Sequence, residues 1–173
     1  GELEVRVQGV AAFAVVRAPG EVAGLDVPLP VIAKPLWEGS SMGIRKTSRV
    51  KTRAQLEALV ERLVADYHQP VLVEAFCPGP ELTVAVWCGE GGEPRVIGTM
   101  EIAPRQDRPE DFIYSLEVKR DYLNQVEYHV PPRLPAAVKE RAEAVALSVF
   151  TALQFRDVAR VDLRLDGEGC PKF

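Results

Sequence analysis

Arg160, Asp162 and Arg164 alternate along the chain with Ala159, Val161, Leu163 and Leu165. A period of two places the charged groups on one face of a strand and the apolar groups on the other. An aspartate between two arginines can hold a divalent ion while arginine neutralises a transferring phosphoryl group. The same pattern also builds a salt-bridge ladder on an exposed sheet. Lys34 stands near the end of a second apolar run, Pro30-Val-Ile-Ala-Lys-Pro35, close to Gly39-Ser-Ser-Met-Gly43. Small residues let backbone N–H groups approach an anion, and a lysine beside them suits phosphate. A solvated strand-end lysine is the alternative, and the loop is not a Walker A sequence. Glu74 closes a third apolar run and Glu81 follows the turn Pro78-Gly-Pro80. Two such carboxylates can accept hydrogen bonds from a ribose or an amine, or stand as ordinary surface groups.

These residues need elements to hold them. Strands are predicted at Phe13 to Val16, Pro30 to Pro35, Ile44 to Val50 and Pro70 to Glu74. Leu56, Leu59, Val60, Leu63 and Val64 repeat at helical spacing behind Thr52 and Gln55, which together read as a capping box. Leu82, Val84 and Val86 then alternate with Glu81, Thr83, Ala85 and Trp87. A Gly-rich turn at 89–94 and a return strand over 95–102 complete a hairpin. Pro104 to Tyr128 shows no clean period and reads as a long connection, functional or mobile; residues 105–126 and the Gly39–Gly43 loop are expected to be mobile without nucleotide because both lack apolar anchors. A helix is expected from Pro135 to about Leu153, then a strand over 157–165 and a turn at 166–169. The order gives an α+β layout with a seam near residues 77–81.

Composition narrows the function classes. The 173 residues are 47% hydrophobic and 27% charged, as in ordinary globular chains. A net charge of -4 and a pI near 5.3 argue against the broad cationic surface of a nucleic-acid binder. No apolar run approaches the roughly 20 residues of a membrane-spanning helix, and the charged opening Gly1-Glu-Leu-Glu-Val-Arg6 is not the pattern expected of a signal peptide. Cys77, Cys88 and Cys170 are widely spaced and read as free thiols of a reducing, cytoplasmic compartment. With two histidines in the chain, a zinc site is not expected. No serine–histidine or cysteine–histidine nucleophile constellation is evident.

Taken together, Val31-Ile-Ala-Lys-Pro-Leu-Trp-Glu-Gly-Ser-Ser-Met-Gly43, Val71-Leu-Val-Glu-Ala-Phe-Cys-Pro-Gly-Pro-Glu-Leu-Thr-Val84 and Ala159-Arg-Val-Asp-Leu-Arg164 resemble the ATP-grasp enzymes, and among them the D-alanine–D-alanine ligase family. The resemblance implies an α+β ATP-grasp fold, two lobes with the nucleotide between them, here truncated at the C-terminus. Residues 1–78 would form the small lobe and 79–173 an incomplete large lobe. It implies that Lys34 contacts the α- and β-phosphates of ATP. The loop Glu38 to Gly43 would fold over the phosphates with its Gly39 and Ser41, and Ser40 would lie near the first substrate. Glu74, Ala75 and Cys77 would line the adenine, Glu81 would bind the ribose, and Lys119 would reach the terminal phosphates. Arg160 would stabilise transferred charge, and Asp162 would bind Mg²⁺, with Mn²⁺ as the alternative ion.

The chemistry implied is carboxylate activation in peptidoglycan precursor synthesis. ATP phosphorylates a carboxylate, and an amine displaces phosphate from the acyl phosphate. The partners would be ATP and amino acids, neither nucleic acid nor membrane, with a homodimer as an allowed state. The sequence departs from the family at Lys119-Arg120, where Lys-Tyr is common, and at Ala75, where lysine commonly follows the glutamate. A Glu-x-Asn metal motif is expected just beyond Phe173, so the piece alone is expected to be inactive. Two further readings stay open: a ligase of the same fold for another amino acid or a peptide, and a non-catalytic module that senses nucleotide.

Overall fold

A computed structural model describes residues 9–173. Along the chain run β1 (Phe13–Val16), β2 (Val31–Pro35), β3 (Arg49–Val50), α1 (Arg53–Tyr67), β4 (Val71–Ala75), β5 (Glu81–Cys88) and β6 (Arg95–Pro104). Then follow α2 (Leu116–Arg120), α3 (Tyr122–Gln125), β7 (Val126–His129), α4 (Ala136–Ala152), β8 (Asp157–Leu165) and β9 (Pro171–Lys172). The contacts divide the chain into two units. One comprises residues 11–76 and 113–122; the other comprises 77–112 and 123–173 with Gly9 and Val10.

The first unit is an antiparallel sheet of order β1-β4-β2-β3 with one long helix. Val31, Ala33, Val71 and Val73 point to one face and are fully buried with Leu56 and Val60 of α1. The helix starts at Thr52, whose hydroxyl accepts from the Gln55 amide at 3.2 Å. The Gln55 side chain closes the cap one residue earlier than a capping box would, accepting from the Lys51 amide at 2.9 Å. His68 ends the helix in the left-handed conformation (φ 52°).

The strand expected over Ile44 to Val50 shrinks to Arg49–Val50. Ser48 is the cause. It is fully buried, and its hydroxyl accepts from the Arg45 amide at 2.9 Å, which bends 46–48 into a 3₁₀ turn. The connection after Pro104 is also more ordered than its composition suggests. Ser115 caps the short helix α2 by accepting from the Val118 amide, and Phe112, Ile113 and Val118 are buried. The expectation that this stretch lacks apolar anchors is therefore wrong. Its anchors follow no helical or strand period, so periodicity does not reveal them.

The second unit is an antiparallel sheet of order β7-β6-β5-β8-β9. Leu82, Val84, Val86, Val161, Leu163 and Leu165 form its core with Ala142, Ala146, Val149 and Phe150 of α4. Burial alternates along β8 from Arg160 to Leu165 as the period-two pattern demands, whereas in β5 Thr83 is buried between Leu82 and Val84 and interrupts the alternation. Beneath α4, Thr99 donates to Glu143 at 2.6 Å and Lys139 pairs with the same carboxylate at 2.7 Å. Burial raises the Glu143 pKa, but the Lys139 and Thr99 hydrogen bonds outweigh it and leave the group below its ordinary value. Among the described residues, no helix is long and apolar enough to cross a membrane.

Candidate functional site

Each sheet packs one face on its helix, and Lys34, Glu74, Glu81, Arg160 and Asp162 stand on the opposite faces, where they are half-buried or exposed. In the first unit, Ile32 pairs with Glu74 and Lys34 with Leu72 across β2 and β4. Lys34 and Glu74 are therefore diagonal neighbours on the same face. They form an ion pair at 2.5 Å, with side chains 32% and 23% exposed. Lys34 is thus not a freely solvated strand end. Ala75 ends β4, its amide bonded to the Ala12 carbonyl at 2.8 Å.

The loop after β2 is shaped by its small residues. Gly39, Ser40 and Met42 are exposed, and Ser40 and Ser41 both adopt positive φ, 53° and 63°. Gly43 follows at φ 75°, and a Cβ there would lie 2.5 Å from the ring of Pro35. Only glycine meets both demands without strain. The Ser41 hydroxyl donates to the Tyr114 carbonyl at 2.9 Å, and the Leu116 amide donates to the Ile44 carbonyl at 3.2 Å. Arg45 pairs with Glu117 at 3.3 Å. These bonds explain why residues 113–122 belong to the first unit. Lys119 of α2 lies with its ammonium 5.0 Å from the Tyr114 ring centroid. At the loop's outer end, Gln69 accepts from the Trp37 amide and donates to Glu38.

In the second unit, Cys77 is half-buried in the connection before β5. Glu81 pairs in register with Arg164, Thr83 with Asp162 and Ala85 with Arg160. The three charged groups of β8 share the open face, as the alternation predicts. Arg160 and Asp162 form a two-bond pair, Nε to Oδ1 at 3.0 Å and Nη2 to Oδ2 at 3.1 Å. Arg164 departs from them. It donates to the Gly79 carbonyl at 3.3 Å and to the Phe112 carbonyl at 2.8 Å, so it braces the backbone. Thr83, which carries no chemical signal of its own in the sequence, donates its hydroxyl to Asp162 Oδ1 at 2.8 Å. Its signal is positional, the shared alternation of β5 and β8, but the register that pairs the two is a long-range property. A shallow groove of about 470 Å³ runs beside Arg160, with Ala85, Gly98, Met100 and Val158 in its lining.

The fold family implies Mg²⁺. Among the described residues, no three Asp, Glu, His or Cys side chains cluster. Mg²⁺ is commonly held through one or two carboxylates, with water and substrate phosphates completing its shell. Asp162, 55% exposed on an open sheet face, fits as one such carboxylate.

Comparisons with known proteins agree with this geometry. The family described as D-ala D-ala ligase C-terminus matches residues 20–172. The chain is 38% identical over 143 residues to a D-alanine--D-alanine ligase of Desulforudis audaxviator, covering 82% of this chain and 43% of that protein. The crystal structure of VanG D-Ala:D-Ser ligase from Enterococcus faecalis superposes with a TM-score of 0.69 at 24% identity, covering 95% of this chain and 46% of that one. An L-amino acid ligase from Bacillus licheniformis gives 0.65 at 21%, covering 95% and 34%. The chain thus spans less than half the length of these relatives. Its fold is that of the ATP-grasp ligases, an α+β arrangement of antiparallel sheets. By the family match over residues 20–172, the chain belongs to the D-alanine–D-alanine ligase family, in its C-terminal domain.

Proposed function

We propose that the protein containing this chain is an ATP- and Mg²⁺-dependent carboxylate–amine ligase that joins two D-alanines for peptidoglycan in the cytoplasm. The observation that carries the reading is the pairing of Arg160 with Asp162 on an open sheet face, at the positions that the ligase pattern reserves for phosphoryl and metal contacts. The Lys34–Glu74 pair on the other open face supports it.

Lys34 binds the α- and β-phosphates, and Glu74 keeps its ammonium oriented. Glu74, Ala75 and Cys77 border the adenine, and Glu81 accepts from the ribose. Gly39, Ser40 and Ser41 cover the phosphates and the first substrate, and Lys119 neutralises the terminal phosphates. Asp162 contributes one carboxylate to Mg²⁺, which when bound supplies charge neutralisation on the phosphates. A carboxylate oxygen of the first amino acid attacks the γ-phosphorus, and ADP leaves with the bonding pair. The amine of the second attacks the acyl carbon, phosphate departs, and the amine's proton goes to phosphate or water. Arg160 meets the charge that builds on the transferring group. No protein nucleophile takes part, so positioning and electrostatics carry the rate.

The test is phosphate release by the full-length protein with ATP and Mg²⁺. D-alanine should stimulate it, with the dipeptide as product. ATP binding without amino-acid-dependent turnover would replace this reading with a nucleotide-sensing module. Arg120, which stands where the family commonly has tyrosine, favours a second reading with a different amino acid. Turnover with other amino acids and none with D-alanine would establish it.

A further inference from the structure

We propose that Thr83 is a positioning residue that selects which oxygen of Asp162 meets the metal. The inference rests on the ligase reading above and adds a residue to it. Thr83 is 8% exposed and stands directly opposite Asp162 in the β5–β8 register. Its hydroxyl donates to Oδ1 at 2.8 Å. Arg160 Nε donates to the same oxygen at 3.0 Å, while Oδ2 receives only Arg160 Nη2 at 3.1 Å. A carboxylate oxygen carries two lone pairs, so Oδ1 is fully used and Oδ2 keeps one acceptor site. That site is the one left for a hard cation.

Thr83 matters most when nucleotide is bound. Arg160, 67% exposed and free to swing, is the group that turns toward the phosphoryl. Once it leaves, the Thr83 hydroxyl gives the only hydrogen bond from the described residues that still fixes the carboxylate. A carboxylate free to rotate offers the ion either oxygen in several orientations and loses affinity. Partners that orient a metal ligand are commonly worth about 10–100-fold in metal affinity.

Mn²⁺ binding to the full-length protein with a non-hydrolysable ATP analogue, followed by electron paramagnetic resonance, tests this. Thr83→Val keeps the shape and removes the hydroxyl. It should weaken Mn²⁺ about ten-fold or more while leaving metal-free nucleotide binding and the melting temperature close to wild type. Thr83→Ser should restore the affinity to within about two-fold, since it restores the donor. In an Asp162→Ala background, Thr83→Val should have no further effect on Mn²⁺. Equal Mn²⁺ affinity in wild type and Thr83→Val would overturn the inference and leave the ligase reading standing. So would equal losses in Val and Ser, which would assign Thr83 to packing. If the wild type itself bound no Mn²⁺ with nucleotide, the ligase reading would fall and take this inference with it.

Discussion

The ion pairs on the two open sheet faces are built in opposite ways. Lys34 and Glu74 come from adjacent strands, two positions out of register, with side chains 32% and 23% exposed. Arg160 and Asp162 come from one strand, two residues apart, and are 67% and 55% exposed. The first pair exists only when β2 and β4 have found each other. The second is available to any extended segment, and Thr83 ties it to the neighbouring strand. The first is a half-buried contact that takes part in the fold, while the second is a solvated contact that can be given up.

The largest expected effects fall on activity and are alike for both pairs. Lys34→Ala and Arg160→Ala in the full-length protein should each lower phosphate release about 10²–10³-fold, because under the proposed function each removes a cation from the phosphates. Stability separates them. Lys34→Ala strands the Glu74 carboxylate in a half-buried place and should cost about 1 kcal/mol, whereas Arg160→Ala should change stability by less than about 0.5 kcal/mol. Equal shifts in denaturant midpoint for the two variants would break the distinction.

The second effect contrasts glycines on the two units. Gly43→Ala meets Pro35 at 2.5 Å and keeps a positive φ of 75°, so a loss of about 1–3 kcal/mol is expected. Gly98→Ala, on the open face of β6, finds no atom within 4 Å and no positive φ. It should be neutral or stabilise by about 0.5–1 kcal/mol, as alanine does in a strand. Thermal unfolding of the two variants decides; a Gly43→Ala protein as stable as wild type would mean that the loop relaxes freely.

The smallest effect is a response to acid in the first unit. The Ser115 hydroxyl, the local backbone and Arg45 hold the Glu117 carboxyl below its ordinary value of 4.5. A depressed carboxylate stabilises the folded state above that value and loses its contribution as pH falls through the lowered one. Amide exchange at Leu116 and Val118 should therefore quicken in acid beyond the intrinsic pH trend. Glu117→Gln should abolish that extra dependence. An unchanged profile in the variant would show that Glu117 does not hold this contact.

The same distinction decides what could be read from the sequence. Arg160 and Asp162 were visible as a pair because alternation within β8 is local. Lys34 and Glu74 were each visible as strand ends, but their contact was not, because register between β2 and β4 is set by packing on α1. Thr83 was hidden for the same reason, lying 79 residues from its acceptor. The helix α1 announced itself through five apolar residues at helical spacing, while α2, with five residues, is too short for periodicity to register. The four-residue β7 owes its conformation to β6 rather than to its own sequence.

Residues 113–122 complete a unit whose other residues end at Phe76. On a ribosome this imposes an order of events. The sheet and α1 emerge first, but Ser41, Ile44 and Arg45 must wait for Tyr114, Leu116 and Glu117 to be synthesised. At about 5–20 residues per second, that delay is on the order of seconds. During it the Gly-Ser loop is held by Gln69 at its outer end but lacks its contacts at Ser41, Ile44 and Arg45, so the loop proposed to cover the phosphates is the last part of its unit to take shape.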